Sequence, residues 1–552
     1  MLRLPNRILA GGHFRVAFLL LLLTSVGLTL YTPWLGFVGD DWWFFAHLSD
    51  GNFLSAQFYE NPARPGVVYL WLGLWQAFGF HLWAYYVVSF VAQWLASYVL
   101  FVLLHDVFCW PTARAAATAA LFLLYPADTA HPYLSTLSTR LCVLAAMSGA
   151  TLWLYSHTRS TRPRPLLALS AALMGAALLT YETPMFLFML LPFALVLVVW
   201  RGIRVWLQQA FTCYVVLAAY LAFRIVVAYQ VAQRATRFYV SLNYSVSWLM
   251  MQFSALLGAV TWKGWLYSLK AMFDFGLLPS SAMLIAAMAV ILLWLARLRG
   301  SVSMYGLRES ALLIAAGLAL SLAGAIPVMV SSVPLNNAVG TLDGRLIHAT
   351  ALGHAIGLIG LCELLATLLT RRQQMQNLFW STAVATMLSL AMIGNMGVQR
   401  DYARSWQTQL SILRGLQSYA ESLRDNTTIV LLETPSGPFN IRFYYSFTEM
   451  IRRFYAAPTL QALPWSKGFP PDEQTMAFGE DDAIVLTDTV QRKFEYFDYN
   501  QIAAFKVNET DGLDSVTEID NQYFVASSRE ARYLSLPPGW RPASGSIRLG
   551  DP

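Results

Sequence analysis

Residues 16–34 read VAFLLLLLTSVGLTLYTPW, and residues 38–43 continue VGDDWW. The first stretch is a run without charge, preceded by Arg3, Arg7 and Arg15. Its length matches the roughly 20 residues that a helix needs to cross a hydrocarbon core of about 30 Å. Tyr-Thr-Pro-Trp closes the run where a signal peptide would carry a small-x-small cleavage pattern. It therefore reads as an uncleaved first span with a cytoplasmic N-terminus. The second stretch sets two carboxylates, Asp40 and Asp41, beside two indoles where the chain leaves the bilayer.

Similar runs recur to about residue 398. The 552 residues are 57% hydrophobic and 12% charged, with a mean hydropathy of +0.49. Soluble domains run nearer 45–50% apolar and about 25% charged, so the chain reads as a polytopic membrane protein. Residues 399–552 hold 20 acidic and 15 basic side chains, leaving 11 and 22 for the rest. The basic balance thus belongs to the membrane part and points to no nucleic acid. The division expected is a transmembrane domain over 1–398 and a soluble domain over 399–552. The latter mixes β-type runs (428–432, 483–487, 523–527) with a helical one (402–423), which predicts a small α/β domain. Four cysteines show neither a disulfide framework nor zinc-site spacing.

Lys and Arg collect in cytoplasmic loops, and that rule fixes the number of crossings. Counting every apolar run as a span puts Arg159, Arg162, Arg164, Arg201, Arg204, Arg297, Arg299, Arg308, Arg371 and Arg372 outside. Demoting Val67–Phe80 repairs all of these loops. Its 14 residues make a helix of about 21 Å, too short to cross, and Tyr69, Trp71 and Trp75 suit an interface. Eleven spans remain, near 16–34, 82–104, 113–127, 138–156, 165–180, 184–200, 205–229, 280–296, 310–330, 346–370 and 378–398. The 113–127 run needs Arg114 to snorkel if it is to cross. The Trp- and Tyr-rich stretch 230–279 predicts another surface helix. The tail then lies on the extracytoplasmic side of a plasma (inner) membrane.

On this topology Asp40, Asp41, Asp50, Glu60, Asp128, Glu182, Asp274 and Asp343 face outward, while Asp106, Glu309 and Glu363 lie near the cytoplasm. Ionisable groups at membrane depth are costly and mark function, so the outer side is where a polar site is expected. Asp40 or Asp41 can serve as a general base, or can simply cap a turn. Arg64, before Pro65 and Gly66, can pair with a phosphate or snorkel to headgroups. His131, in Asp128-Thr-Ala-His-Pro132, can carry a proton, ligate a metal or hold a loop. Arg140 opens a span from outside. Glu182 sits in the tight hairpin Thr180-Tyr-Glu-Thr-Pro184, where it can orient another residue. Arg345 enters the tenth span from outside, where it can neutralise a phosphate or pair with Asp343.

In this order and sidedness the residues resemble the GT-C superfamily of membrane glycosyltransferases that use polyprenyl-phosphate sugars. The likeness is to the branch of protein O-mannosyltransferases, aminoarabinose transferases and TMTC-type proteins. It rests on Asp40-Asp41 after span one, Arg64-Pro65 before a flat helix ending near Phe78-Gly79, His131-Pro132 ahead of Arg140, and Tyr181-Glu182 after span five. Arg345 is a weaker match. The sequence departs from the family in having Asp-Asp where several branches have Asp-Glu, and Tyr181 where a Lys precedes the glutamate.

The resemblance implies a fold of about eleven transmembrane helices with outer surface helices. It implies a polyprenyl-phosphate sugar as donor and an extracytoplasmic glycan, lipid or protein as acceptor, both meeting the enzyme at the lipid. Asp40 or Asp41 would be the general base of a single inverting displacement. Arg64 and Arg345 would stabilise the departing phosphate. His131, Arg140 and Glu182 would complete the substrate site. No second carboxylate is needed as covalent nucleophile, unlike retaining hydrolases. Family members differ in using a divalent cation, and the sequence leaves that open. The residues alone also admit a transporter or lipid flippase without transfer chemistry, with polar groups at mid-membrane, or a non-catalytic assembly factor.

Overall fold

The computed structural model describes residues 11–432 except 61, 161–162, 199–201, 234–244, 299–305, 330–347, 420–422 and 424; beyond 432 it describes 444–464 and short strands. In chain order the helices are α1 (Gly11–Gly27), α2 (Asp40–Ser49), α3 (Phe53–Glu60), α4 (Pro65–Phe78), α5 (Leu82–Val102), α6 (Thr112–Leu123), α7 (Leu137–Thr158), α8 (Pro163–Thr180), α9 (Met185–Val198), α10 (Ile203–Gln233), α11 (Val246–Gly258), α12 (Gly264–Asp274), α13 (Leu277–Leu298), α14 (Leu307–Met329), α15 (His348–Leu369), α16 (Gln373–Tyr419) and α17 (Tyr444–Tyr455). Among the described residues nine helices are long and apolar enough to cross a membrane. Two shorter apolar ones, Thr112–Leu123 and Met185–Val196, join them. Together these cover the eleven runs expected from the sequence.

The chain divides into two compact units. The first comprises Met1–Pro33, Asn61–Arg234 and Val240–Arg400; the second Trp34–Glu60, Ala235–Tyr239 and Asp401–Pro552. In the first unit, helix pairing depends on small residues. A Cβ on Gly317 of α14 would meet the backbone of Gly353 and Gly357, and one on Gly353 would meet Ser321. In hydrocarbon, where apolar contact alone favours no partner, such close backbone approach is what joins helices.

Helix α4 is the short segment demoted in the sequence. Pro65 opens it, with its fixed φ suited to a first helical turn. Val67, Val68 and Trp71 are buried while Tyr69 is 64% exposed. The 230–279 stretch holds α11 and α12, joined by a π-turn over Ala259–Lys263. Arg114 does not snorkel: it is buried on α6 and paired with the equally buried Glu363 of α15. A partner inside the bundle spares it the reach to water. The last span and the helical run 402–423 form one 47-residue helix, α16. No proline or glycine lies between Gly397 and Gly415 to interrupt it.

The second unit contains a four-stranded sheet in the order β2-β1-β6-β7, with β1 Thr428–Leu432, β2 Gln461–Pro464, β6 Ile502–Val507 and β7 Leu513–Val516. β1 runs parallel to β2 and β6, and β6 antiparallel to β7. α17 makes the crossover that a parallel β1–β2 pair requires. Its Phe447, Met450, Ile451 and Phe454 bury against Ile429, Leu431 and Leu460, and against Ile412, Leu413 and Leu416 of α16. Strands β3 (Gln474–Phe478), β4 (Ala483–Asp488) and β5 (Lys493–Asp498) form an antiparallel sheet. The 523–527 run lies outside the described residues.

A division at 398/399 leaves residues 34–60 with the membrane part, whereas the structure groups them with the tail. The reason is polar and aromatic. The Trp42 indole N–H donates to Gln409 Oε1 at 2.9 Å, and Gln409 Nε2 donates to the Phe37 carbonyl at 3.0 Å. Arg453 of α17 donates to the Ala46 carbonyl at 2.7 Å and pairs with Asp50. Phe37 packs between Trp42, Phe45 and Trp406.

Candidate active site

Two charged clusters in the first unit gather most of the residues singled out in the sequence. The first forms where α4 begins. A Cβ on Gly66 would come within 2.6 Å of Thr180 Oγ1 and 2.9 Å of Thr180 N, so only glycine lets α4 start against the end of α8. That approach brings Arg64 to the hairpin between α8 and α9. Arg64 Nη2 donates to Glu182 Oε1 at 2.6 Å and Nε to Oε2 at 3.2 Å. This is the two-toothed geometry that a planar guanidinium offers a carboxylate. The Arg64 guanidinium carbon also lies 4.8 Å from the Tyr181 ring centroid, within cation–π range. Arg64 and Glu182 side chains are 30% and 27% exposed.

Burial by itself would push the Glu182 carboxyl up, but the adjacent Arg64 outweighs it and holds the group down at about 2. Burial would likewise lower Arg64, and Glu182 reverses that and raises it. Both stay charged. The pair uses Nε and Nη2, so Nη1 stays outside it.

The second cluster is closed. Arg140, on the first turn of α7, is 2% exposed and holds Asp128 with both terminal nitrogens, Nη2 to Oδ1 at 2.9 Å. Nη1 also donates to Gln93 Oε1 of α5 at 2.8 Å. His348, the first residue of α15, lies with Nδ1 at 2.8 Å from both Asp128 Oδ2 and Arg140 Nη1. α7 and α15 therefore meet on the Asp128 carboxylate, and α5 joins them through Arg140. Burial would raise the Asp128 carboxyl, yet Arg140 and His348 bring it well below the usual carboxylate range.

His131 borders this cluster. Its Nδ1 lies 3.1 Å from the Asp128 carbonyl, which can only accept, so Nδ1 carries the proton. Its Nε2 is buried and lacks a hydrogen-bond partner among the described residues. Burial pushes the imidazole down to about 4, so it is neutral near pH 7. The two clusters meet through α7, where Ser138 Oγ lies 3.3 Å from the Tyr181 hydroxyl, two residues before Arg140.

The acidic pair belongs to the second unit and opens α2. Gly39 adopts φ 53° and ψ −123° just before it, a conformation that only glycine reaches without strain. Asp41 is fully buried, and its Oδ2 accepts from the Val38 N–H at 3.1 Å. Asp40 is half-buried and is the more accessible of the two. Arg345 lies outside the described residues.

Sequence reading named Arg64, Glu182, His131 and Arg140 without pairing them, and it gave Asp128, Gln93 and His348 no role. The available signal was a polar side chain within an apolar run, which is the mark of Gln93 on α5. The partner of each charge was not in the sequence pattern.

No family model matches the sequence, and no curated protein matches it. Among solved structures the chain is similar to ArnT from Cupriavidus metallidurans bound to undecaprenyl phosphate, at 14% identity, 81% of this chain, 85% of that one and a TM-score of 0.38. It is similar to the apo form of the same protein at 13% identity, 82% and 85% coverage and a TM-score of 0.38. At that TM-score the likeness assigns neither residues nor activity.

Proposed function

We propose that the chain is an integral membrane glycosyltransferase that moves a sugar from a polyprenyl-phosphate donor to an extracytoplasmic acceptor. The observation that carries this reading is Arg64. It is held by Glu182 and Tyr181 at the start of a short surface helix, with Nη1 outside the pair. A guanidinium fixed in this way needs no reorganisation to meet the negative charge that grows on a leaving phosphate.

In the proposed step an acceptor hydroxyl or amine attacks the anomeric carbon. The bond from that carbon to the phosphate oxygen breaks, the polyprenyl phosphate leaves with the electron pair, and the acceptor proton passes to a carboxylate. Asp40 is our choice for that base, because Asp41 is buried and bonded to the Val38 amide. One displacement inverts the anomeric centre. Arg140 and His131 act on substrate through the packing of the second cluster, and Arg345 remains a proposed phosphate partner. Nothing in the step requires a metal, and nothing in it excludes a divalent cation beside the phosphate.

A transporter or flippase is the second reading. The test separates the two. Purified protein in lipid receives radiolabelled polyprenyl-phosphate sugars, with a membrane extract as acceptor. Release of lipid phosphate and transfer of label are followed for wild type, Asp40→Asn and Asp41→Asn. The proposal expects transfer by wild type and a loss of about 10²–10⁴-fold in Asp40→Asn, the usual worth of a general base. Full transfer in both variants removes the base assignment. Movement of donor across the bilayer without transfer of label favours transport.

A further inference from the structure

At the end of the bundle where α1 begins and α5 finishes, three side chains of no assigned role converge. His13 Nε2 lies 3.4 Å from Asp106 Oδ1, and His105 Nε2 lies 4.0 Å from the same oxygen. All three ligand atoms fall within 4.8 Å of one another. They are part-exposed, with His13 and Asp106 side chains at 11% and 29%. Along α5 the cluster lies about 30 Å from Tyr85, whose hydroxyl donates to the Gly79 carbonyl at the end of α4.

We propose that His13, His105 and Asp106 form a binding site for one divalent transition-metal ion of the zinc class. The argument starts from the proton on His105. Its Nδ1 lies 2.8 Å from the Trp110 carbonyl, an acceptor only, so Nδ1 is the protonated nitrogen. Nε2 is then the nitrogen that faces the Asp106 carboxylate, 4.0 Å from its Oδ1. The carbonyl contact is also the outer-shell hydrogen bond that fixes a metal-ligating imidazole.

His13 is also held through Nδ1, here by a hydroxyl that can either donate or accept. Its Nδ1 lies 3.5 Å from the Tyr98 hydroxyl, which leaves Nε2 to the cluster, and its ring packs edge-on to Phe101 at 5.3 Å. Phe101 in turn stacks on His105 at 5.4 Å.

The backbone departs from the α-helix at this point. Residues Leu103–Val107 form a π-turn, closed by Phe108 N–H to the Leu103 carbonyl at 3.1 Å. Such turns are rare and recur at functional sites, where the wider turn re-aims side chains. A tetrahedral ion with bonds of about 2.0–2.1 Å to nitrogen and oxygen sets its ligand atoms roughly 3.3 Å apart. The His13–Asp106 spacing meets that, and a small closure of His105 completes three ligands, with water as the fourth. Imidazole and carboxylate together select zinc-like ions over magnesium or calcium, which prefer oxygen alone. The ion would staple α1 to α5.

The test uses the full chain in lipid nanodiscs, purified without a polyhistidine tag and stripped with chelator. Co²⁺ alone is titrated while its visible d–d absorption is followed, and Zn²⁺ alone is then used to displace it. The expected result is one Co²⁺ per chain in wild type, with affinity at least 10-fold weaker in His13→Gln, His105→Gln and Asp106→Asn. His81→Gln and His157→Gln should bind as wild type. Equal binding in a His13→Gln/His105→Gln double variant overturns the proposal, as does no binding by wild type at about 100 μM Co²⁺. X-ray absorption on zinc-loaded wild type gives a readout independent of variant folding. Two imidazole ligands support the site, and thiolate ligation or imidazole-free oxygen ligation overturns it.

Discussion

The Arg64–Glu182 pair and the Asp128–Arg140 pair are both arginine–carboxylate bridges in the same unit, yet they differ in what surrounds them. Arg64 and Glu182 are about a third exposed, and one guanidinium nitrogen lies outside the pair. Arg140 and Asp128 are buried, and Gln93 and His348 take up further bonds. A charge pair removed from water gives back in attraction and hydrogen bonds only what desolvation cost it. The closed cluster can therefore hold α5, α6, α7 and α15 in register but has little left to offer a ligand. The open pair is poised to meet an anion.

Breaking the closed cluster should give the largest effect, and on stability. Asp128→Ala leaves Arg140 buried without its carboxylate, which costs about 3–5 kcal/mol. The fraction of monodisperse protein and the thermal midpoint in detergent should fall sharply. Normal midpoints for this variant would reverse the roles assigned to the two clusters.

Breaking the open pair should spare stability and remove activity. Arg64→Ala is expected to lower sugar transfer about 10²–10³-fold, the loss seen when one charge-stabilising donor is removed, with a thermal midpoint near wild type. Transfer at the wild-type rate would exclude Arg64 from the phosphate site.

Acid sharpens the same contrast. Glu182 titrates at about 2 in the folded chain, below its ordinary value near 4.5. Its contribution to stability is thus complete above about pH 4.5 and is lost as pH falls toward 2. Below pH 4.5 the midpoint of Glu182→Gln should therefore fall less steeply than that of wild type. Buried His131, at about 4, adds a loss that begins nearer 6.5, because only the unfolded chain takes up that proton. His131→Gln should flatten the curve between pH 6.5 and 4, and parallel curves for all three proteins would contradict both assignments.

The smallest effect is expected at Tyr181. Replacing the ring by leucine removes a cation–π contact worth about 0.5–1 kcal/mol at a part-exposed site. Transfer by Tyr181→Leu should drop about 2–5-fold, measurable as a change in initial rate. A drop as large as that of Arg64→Ala would mean that Tyr181 touches substrate.

Much of the bundle was legible because each span is a local property. A run of apolar residues the length of the bilayer core has one low-energy outcome, a helix, wherever it occurs. The same logic exposed α4, whose 14 residues fall short of a crossing. It failed at Arg114, where a short run suggested snorkelling and the side chain instead found Glu363 on a distant helix.

The sequence by itself determined the eleven apolar runs, the short helix after Arg64-Pro65, and the order in which the charged motifs occur. Tertiary structure decided which charges meet. Arg64 finds Glu182 across 118 residues, and His348 finds Asp128 across 220. It also decided that residues 34–60, with Asp40 and Asp41, belong with the tail. The physical reason is reach. Burial of an apolar run is settled by its own composition and length, whereas a charge chooses among partners by geometry that exists only once the helices have packed.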